Sequence, residues 1–366
     1  MQVRRRQQVT MTGVAAVAVV ALSLAACSSS PSSTSSTPSG GSSSSTSGAS
    51  LSGTLNGSGS TFQTVYQQSA ISAFKSIQPN MTVNYGSGGS GKGRTDLASG
   101  VVNYAGSDSP IPSDETANFK GKTVLYFPVF LGPITMSYNL TGVSNLKLTP
   151  TVIADIFEAK IKTWNDPAIK AINPGVNLPS TPITIAVRAD SSGTTQNFSL
   201  FLMTAVPSVW TLGSSSTINW PHTAHAGNGN PGVAQIIKST PGAIGYVDYA
   251  DAKASGLTFA SVENKSGTYI APSPSSASPA GAGVTVAPDL TFHAVWSSSP
   301  TAYPITYQSW VLVYAKQPNA NDAAMLKAYI GYLIGQGQSL LTGLGYAPLP
   351  ASIDQMAKAQ LSKITS

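Results

Sequence analysis

The sequence predicts an α/β protein with two lobes, and three observations lead to this prediction. Segments typical of strands alternate with segments typical of helices. Of the 366 residues, those able to form a core begin near Leu51, and that length exceeds what one compact core usually holds. Stretches of glycine, serine and threonine stand where strands end or helices begin, positions at which backbone N–H groups are free to bind a ligand.

The first 26 residues have the features of a bacterial lipoprotein signal peptide. Three arginines at positions 4–6 are followed by an uncharged apolar run over residues 11–24. This run is too short for a membrane-spanning helix, which needs roughly 20 apolar residues. Residues 24–27 have the form of a lipoprotein cleavage box, and Cys27 is the only cysteine of the chain. We therefore expect cleavage before Cys27 and its lipidation, with an ordinary N-terminal anchor as the alternative.

Residues 27–50 predict a disordered tether that begins at the lipidated cysteine. They are almost wholly serine, threonine, proline and glycine, a composition that cannot build a core. Removing residues 1–26 takes away three arginines and no acid, so the formal net charge falls from +6 to +3. The remaining cations are scattered, which argues against nucleic-acid binding. The expected protein is extracytoplasmic and lipid-anchored to the bacterial cell membrane.

Several elements of the globular part follow from local patterns. Apolar residues recur at helical spacing over residues 62–77, which predicts the first helix. Residues 81–85 and 132–138 predict strands. Residues 271–287 are rich in proline, serine, glycine and alanine and are expected to form a surface loop.

The most informative stretch covers residues 188–194. An apolar run over 183–187 predicts a buried strand before it, and residues 195–202 predict a helix after it. The small polar residues therefore stand at a helix N-terminus, where free N–H groups and the helix dipole attract an anion. Arg188 adds a planar guanidinium that matches two oxygens of a carboxylate or phosphate. The stretch alone fits either an oxyanion site or a helix cap with a nearby ion pair.

Three further stretches have the same character. Residues 56–62 lead into the first helix, residues 86–93 follow a strand, and residues 104–110 follow the apolar pair at 101–102. We interpret each as a loop in which glycine permits the close approach that lets N–H groups reach an anion. With one arginine and one acid, Asp108, these loops form a coherent set of anion-binding candidates.

These segments resemble those of PstS-type phosphate-binding proteins, the substrate-binding components of bacterial high-affinity phosphate importers. The matching segments lie in the family's order and cover most of residues 54–350. They are residues 57–62, 89–91, 106–110, 156–167, 188–194 and 241–247. The resemblance implies a two-lobed periplasmic-binding-protein fold of type II with the ligand in the cleft between the lobes. It also implies a monomer that binds inorganic phosphate for an ABC-type permease, with neither a cofactor nor catalysis.

The resemblance assigns a role to each site residue. Arg188 is the cationic contact, Asp190 holds its guanidinium in place, and Asp108 is the one acceptor. The implied phosphate ligands are Thr61, Phe62, Ser90, Asp108, Arg188, Ser192, Gly193 and Thr194. The first four are expected in lobe one, residues 51–128 with 300–366, and the last four in lobe two, residues 129–299.

The sequence departs from the family pattern at two points. Gln63 stands where proline is common, which we expect to affect the entry into the helix more than the chemistry. The second loop is unusually rich in glycine, so that Ser87 competes with Ser90 as the contact. The family spacing to Asp108 favours Ser90.

Asp108 is the residue expected to determine selectivity. A buried carboxylate beside an anion is unfavourable unless the ligand brings a proton to share. Phosphate at neutral pH carries at least one P–OH group, whereas sulfate carries none and would leave two acceptors facing each other. An unpaired buried group costs about 1–3 kcal/mol, and more when it is charged. The alternative role of Asp108 is an N-cap for a helix near residues 113–115.

Two enzyme-like motifs are incomplete. Residues 86–92 nearly form a P-loop, but Gly93 occupies the position of the magnesium-binding hydroxyl. Residues 72–75, 107–109 and 265–267 imitate the three elements of a penicillin-recognising serine enzyme. Ser72, however, falls late in its predicted helix, and Ser109 replaces the asparagine of the middle element.

Two further alternatives have little support. His222 and His225 lie in one loop, but no second acid or cysteine pair joins them to complete a zinc site. A secreted phosphatase on a similar scaffold lacks a nucleophile–base pair or a metal cluster. The sequence therefore predicts a binding protein rather than an enzyme.

Overall fold

A computed structural model describes residues 51–366. The predicted signal peptide, the tether and Cys27 lie outside these residues. The strands are β1 Gly53–Gly59, β2 Met81–Ser87, β3 Tyr104–Ser107, β4 Val124–Tyr138, β5 Lys147–Leu148, β6 Thr184–Arg188, β7 His225–Gly227, β8 Ala243–Asp248, β9 Thr258–Phe259, β10 Ser261–Glu263, β11 Tyr269–Ile270 and β12 Thr306–Tyr314.

Helices alternate with these strands over most of the chain. The α-helices are α1 Thr64–Phe74, α2 Ser90–Ser99, α3 Pro150–Phe157, α4 Pro167–Ile172, α5 Gly193–Ala205, α6 Gly229–Ser239, α7 Tyr249–Ala254, α8 Pro274–Ala277, α9 Ala320–Leu333, α10 Leu341–Leu344 and α11 Ala351–Gln360. Short 3₁₀ turns add Thr61–Gln63, Thr116–Phe119, Ser278–Gly281, Gln336–Leu340 and Leu361–Lys363. The α/β class predicted from the alternation is confirmed.

One curled sheet organises the fold, with its strands in the order β2-β1-β3-β12-β4-β8-β6-β7 and β9 paired to β4. Strand β1 lies parallel to β2 and β3, and β6 lies parallel to β7 and β8. The long strands β4 and β12 join these two parallel groups through antiparallel pairing. This arrangement gives each half of a two-lobed fold its own parallel set of strands.

Strand β4 passes from one half of the sheet to the other. Its residues 124–133 pair with β12, and its residues 134–138 pair with β8. Every residue of β4 after Val124 is buried, because helices cover both faces of this central strand. Such double burial is typical of central strands, which read as continuous apolar runs.

The structure corrects four local predictions. Residues 56–59, interpreted as loop, belong to β1, and residues 104–107, also interpreted as loop, form β3. The first helix ends at Phe74, before the predicted end at residue 77. The stretch 271–287 contains α8 and a 3₁₀ turn, with Ala277 and Ala280 packed into the core.

Within residues 51–366, we find no helix with the length and apolar character required to span a membrane.

Candidate anion-binding site

The predicted site residues lie at the carboxyl ends of four strands. Strands β1, β2, β3 and β6 end at Gly59, Ser87, Ser107 and Arg188, and the chain then enters the four glycine- and serine-rich segments. Within each parallel group, β1 to β3 and β6 to β8, the carboxyl ends lie at one edge, which is where ligands bind in open α/β folds. The two groups run in opposite directions in the curled sheet. Hydrogen bonds link all four segments, as described below.

Asp108 lies at the centre of the cluster and is 1% exposed. Its Oδ1 accepts a hydrogen bond from Ser309 Oγ at 2.5 Å. Its Oδ2 accepts one from Ser60 Oγ at 2.6 Å and a longer one from Ser90 Oγ at 3.3 Å. Burial raises the pKa of Asp108 to about 6, although these hydroxyls and the charge of Arg188 favour the ionised form.

Ser90 connects the segment after β2 with two other segments. It is the first residue of α2 and is 1% exposed. Its Oγ accepts two hydrogen bonds, one from the backbone N–H of Asp108 at 3.1 Å and one from the backbone N–H of Gly193 at 3.2 Å. Gly89 precedes it with φ +91, and a Cβ there would lie 2.1 Å from Asp190 Oδ2. A glycine is therefore required at position 89. Ser87 is exposed at the end of β2, outside this cluster.

Arg188 ends β6 and is 5% exposed. Its Nε donates to Asp190 Oδ1 at 2.8 Å, and its Nη2 donates to the other oxygen of the same carboxylate. This bidentate pairing fixes the plane of the guanidinium, while Nη1 reaches Thr194 Oγ1 at 3.3 Å. Burial alone would raise the pKa of Asp190, but the Arg188 guanidinium holds this pKa below its usual value. Asp190 thus binds two nitrogens of the Arg188 guanidinium.

The residues after Arg188 form the N-terminus of α5. Ser192 is the N-cap, and its Oγ accepts from the N–H of Thr195 at 3.1 Å. Gly193 and Thr194 are the first two helical residues, and both are buried. The N–H groups of the first turn of a helix lack intrahelical acceptors and attract negative charge. This end of α5 points at Asp108 and Ser90, as the contact of the Gly193 N–H with Ser90 shows.

Thr61 and Phe62 form a 3₁₀ turn directly after β1. The Phe62 ring is stacked on that of Tyr307 with centroids 4.0 Å apart, and the Phe62 carbonyl accepts from Tyr346 OH at 2.8 Å. Thr61 Oγ1 accepts from Asn230 at both the backbone N, 3.2 Å, and Nδ2, 3.0 Å. Tyr307 and Tyr346 therefore hold the turn at Phe62, and Asn230 of α6 holds it at Thr61.

The structure adds four residues that the sequence did not single out: Ser60, Asn197, Asn230 and Ser309. Asn197 Nδ2 donates to the Asp108 carbonyl at 2.6 Å, and Asn230 Nδ2 also approaches Thr194 Oγ1 at 3.4 Å. Asn230 ends a glycine- and asparagine-rich segment at residues 227–230, similar in composition to the four segments recognised. Ser309 and Asn197 lie inside a strand and a helix, where composition gives no such signal.

Asp248 is a further buried acid near the cluster. It lies at the end of β8, where its N–H donates to Asn230 Oδ1 at 3.3 Å and its Oδ1 caps α7. Its Oδ2 has no hydrogen-bond partner within residues 51–366. Burial, reinforced by the neighbouring Asp251, raises the pKa of Asp248 well above its usual value.

The residues of the alternative motifs lie apart from this cluster. Lys92, the candidate P-loop lysine, is exposed and paired with Asp96 at 2.7 Å. Ser72 is exposed on α1, His222 is exposed in a loop, and His225 is exposed at the start of β7. No three His, Cys, Asp or Glu side chains within residues 51–366 are grouped to hold a metal ion.

The cluster has the chemistry of a site for a partly protonated oxyanion. Donors surround it: the guanidinium of Arg188, the helix N-terminus at Gly193 and Thr194, and the hydroxyls of Thr61 and Ser90. The Asp108 carboxylate stands among them as an acceptor. A ligand that offers several oxygens and one O–H group would satisfy both kinds of group.

Comparisons with known proteins agree with this chemistry. The sequence model of the PBP superfamily domain matches residues 44–336. The chain is 35% identical to phosphate-binding protein PstS 3 of Mycobacterium leprae, over 82% of this chain and 84% of that protein. It is 33% identical to phosphate-binding protein PstS of Pasteurella multocida, over 84% of this chain and 89% of the relative.

A solved structure shares the fold. A high-affinity periplasmic phosphate-binding protein, solved with phosphate bound, superposes with a TM-score of 0.71 at 20% identity, over 84% of this chain and 94% of the other. The two-lobed periplasmic-binding-protein fold implied by the resemblance is therefore confirmed. Given the extent and identity of these matches, the chain belongs to the PstS family of phosphate-binding proteins within the PBP superfamily.

Proposed function

We propose that this chain binds inorganic phosphate outside the cytoplasm and delivers it to an ABC-type phosphate import permease. The observation that carries the proposal is the position of Asp108, a buried acceptor surrounded by donors that suit an anion. The curated relatives at 33–35% identity are named phosphate-binding proteins, which agrees with this chemistry.

The phosphate oxygens would be shared between two sets of donors. Thr61, Phe62 and Ser90 would donate from one side, and Arg188 with the start of α5 would donate from the other. Ser192 Oγ accepts from the N–H of Thr195 as the cap of α5, which leaves its hydroxyl proton free to donate. The Ser192 backbone N–H already donates to the Ser216 carbonyl at 2.9 Å, so Ser192 would contribute its hydroxyl rather than its backbone. Asp108 would accept the P–OH proton. Sulfate, which has no such proton, would leave the carboxylate unpaired.

The lobes proposed for this cleft are residues 51–128 with 300–366 and residues 129–299. The topology supports a boundary near residue 129, because β4 changes its pairing partner from β12 to β8 within residues 133–134. Strand β12 begins at Thr306, close to the second proposed boundary. Closure would bring α5 and α6 onto the segments that follow β1 and β2.

The remaining parts of the proposal concern location and partners. Cys27 would carry the lipid, and residues 27–50 would tether a monomeric domain to the cell membrane, where it meets the permease. Binding would proceed without turnover, since the cluster offers a phosphate no activated nucleophile. Mass spectrometry of the native protein tests the lipid on Cys27, and a chromogenic phosphate ester tests turnover.

Isothermal titration in anion-free buffer tests the central proposal. Phosphate should bind at one site per chain, while sulfate and molybdate should bind far more weakly. Ligand binding should also raise the melting temperature, because a ligand at 100 times its Kd stabilises the folded state by about 2.7 kcal/mol. The assignment would be overturned if the folded, anion-free protein gave no binding heat when titrated with phosphate.

A further inference from the structure

Ser309 lies directly opposite Asp108 in the sheet. Strands β12 and β3 are antiparallel with Trp310 paired to Ser107, so the preceding residue of β12 faces the residue that follows β3. The pairing of β12 with β4 shifts register between Ser309 and Trp310, and such irregularities redirect side chains. Ser309 is fully buried and donates to Asp108 Oδ1 at 2.5 Å across 201 residues of sequence.

Gln63 determines the direction of this hydrogen bond. Its Nε2 donates to Ser309 Oγ at 2.8 Å and to the carbonyl of Trp310 at 2.8 Å. A serine hydroxyl has one proton to give. Since Ser309 Oγ already accepts from an amide N–H, which can only donate, its own proton is directed to Asp108.

Two further hydrogen bonds behind Gln63 run in the same donor-to-acceptor direction. Tyr329 OH donates to Gln67 Oε1 at 2.7 Å, and Gln67 Nε2 donates to Gln63 Oε1 at 2.9 Å. All four side chains of this relay, Tyr329, Gln67, Gln63 and Ser309, are buried. Hydrogen bonds aligned in one direction in a low-dielectric interior polarise and strengthen one another. The relay therefore ends in the Ser309 hydroxyl, which donates its proton to Oδ1 of Asp108 from the side facing away from the cleft.

We propose that Ser309, oriented by Gln63, is a specificity-determining residue that keeps Asp108 an acceptor, and hence keeps sulfate out of the site. This inference rests on the proposed phosphate function. Without the Ser309 donor, this buried carboxylate binds a proton more readily, and its protonated form is itself a donor. A protonated Asp108 can offer a hydrogen bond to sulfate. Gln63 thus acts through Ser309 on the acceptor and not only through the entry into the helix.

The other groups that face Asp108 do not replace this role. The charge of Arg188 lowers the pKa of Asp108, but Arg188 makes no hydrogen bond to Ser309 among residues 51–366. Burial raises the pKa values of Tyr85, Tyr307 and Tyr346 well above their usual range, so these side chains stay neutral. Asp248 and Asp251 also have raised pKa values, but no hydrogen bond among residues 51–366 joins either to Ser309. Any contribution they make is common to the wild type and the Ser309 variants.

The test compares sulfate and phosphate affinities by calorimetry between pH 5 and pH 8, on the full chain purified in detergent. Ser309→Ala should lower the phosphate-over-sulfate preference at pH 7 by roughly tenfold. The pH at which sulfate binding appears on acidification should rise by about one unit, the effect of losing one hydrogen bond to a charged group. Ser309→Thr, which keeps the hydroxyl, should restore both values.

Two more variants make the outcome decisive. Gln63→Met removes the amide that orients Ser309 and should shift the same pH in the same direction by a smaller amount. It carries the test alone if Ser309→Ala does not fold. Ser137→Ala, a buried strand serine bonded to Thr135, should behave as the wild type. A normal pH profile in folded Ser309→Ala and Gln63→Met, with phosphate still bound, overturns this inference alone. Failure of the wild type to bind phosphate overturns the proposed function.

Discussion

Asn230 donates two hydrogen bonds to Thr61 Oγ1, one from its backbone N at 3.2 Å and one from Nδ2 at 3.0 Å. These bonds join the start of α6 to the turn after β1, across 169 residues of sequence. Asn230 Oδ1 accepts from the N–H of Asp248, which holds the amide in this orientation. Thr61 and Asn230 belong to different proposed lobes, so this contact exists only when the two lobes are close together.

Asn230→Ala should weaken phosphate binding by roughly tenfold. The side-chain bond to Thr61 is lost, and one net hydrogen bond is worth about 0.5–1.5 kcal/mol. The loss should appear as faster dissociation, since the contact forms on closure. Asn228→Ala is the matched control, because Asn228 lies in the same segment but is exposed and makes no capping bond. Equal affinities of the two variants in stopped-flow and calorimetric titrations would argue against the contact.

Gly193→Ala should reduce phosphate affinity by roughly 10- to 100-fold while leaving the ligand-free fold intact. A Cβ at this position would lie 2.5 Å from Ser90 Oγ and 2.6 Å from Asp108 Cβ. Overpacking of this kind costs about 1–3 kcal/mol, and here it acts only where α5 meets the opposite lobe. In the open form alanine is acceptable, because it is a better helix former than glycine.

Gly343→Ala is the control for that substitution. Gly343 also lies in a helix, and a Cβ there would meet nothing within 4 Å. The measurements are phosphate calorimetry and thermal unfolding without ligand. An unchanged affinity in Gly193→Ala would mean that the close approach of α5 to Asp108 is not needed for binding.

Asp108→Asn should weaken the rejection of sulfate by roughly 10- to 100-fold at pH 7.5. The amide can donate to a ligand oxygen, so sulfate no longer meets an unpaired acceptor, a difference worth about 1–3 kcal/mol. Asp114→Asn, an exposed acid six residues further along the chain, should keep the wild-type preference. Competition titrations of sulfate against phosphate measure the ratio directly. A ratio in Asp108→Asn equal to that of the control would show that selectivity lies elsewhere.

Local patterns predicted the parts of the site that depend on local structure. The segment from Arg188 to Thr194 lies between a strand and a helix, and an apolar run followed by small polar residues is enough to predict that arrangement. Strand β1 escaped prediction because it contains three glycines and a single apolar residue, Leu55. It is a strand because β2 and β3 pair with both of its edges, and tertiary pairing overrides a weak intrinsic preference.

Contacts between distant segments could not be predicted in this way. Ser309 is one of three polar residues in β12, with Thr306 and Gln308, and its role depends on the register that places it opposite Asp108. Gln63 was expected to affect the entry into the helix more than the chemistry, yet its amide contacts Ser309. Such roles follow from sheet order, which one sequence does not specify.

The buried charge of Asp108 should also leave a signature in the pH dependence of stability. Burial raises its pKa from an ordinary value of 3.8 to about 6. In the ligand-free protein the folded state therefore binds this proton more tightly than the unfolded state. The resulting stabilisation is complete below about pH 4 and is lost as the pH rises through 6. Its full size is about 3 kcal/mol, from a shift of roughly two pKa units.

Urea unfolding of the wild type and Asp108→Asn between pH 4 and pH 7.5, without phosphate, isolates this contribution. The free energy of unfolding of the variant, relative to the wild type, should increase with pH and level off above pH 7. Any constant difference in packing shifts both ends of that curve equally, so the slope reports Asp108 alone. Asp248 and Asp251, whose pKa values are also raised, are present in both proteins and cancel. A flat difference across this range would mean that Asp108 does not titrate between pH 4 and pH 7.5, and that its charge is stabilised by more than the three hydroxyls and Arg188.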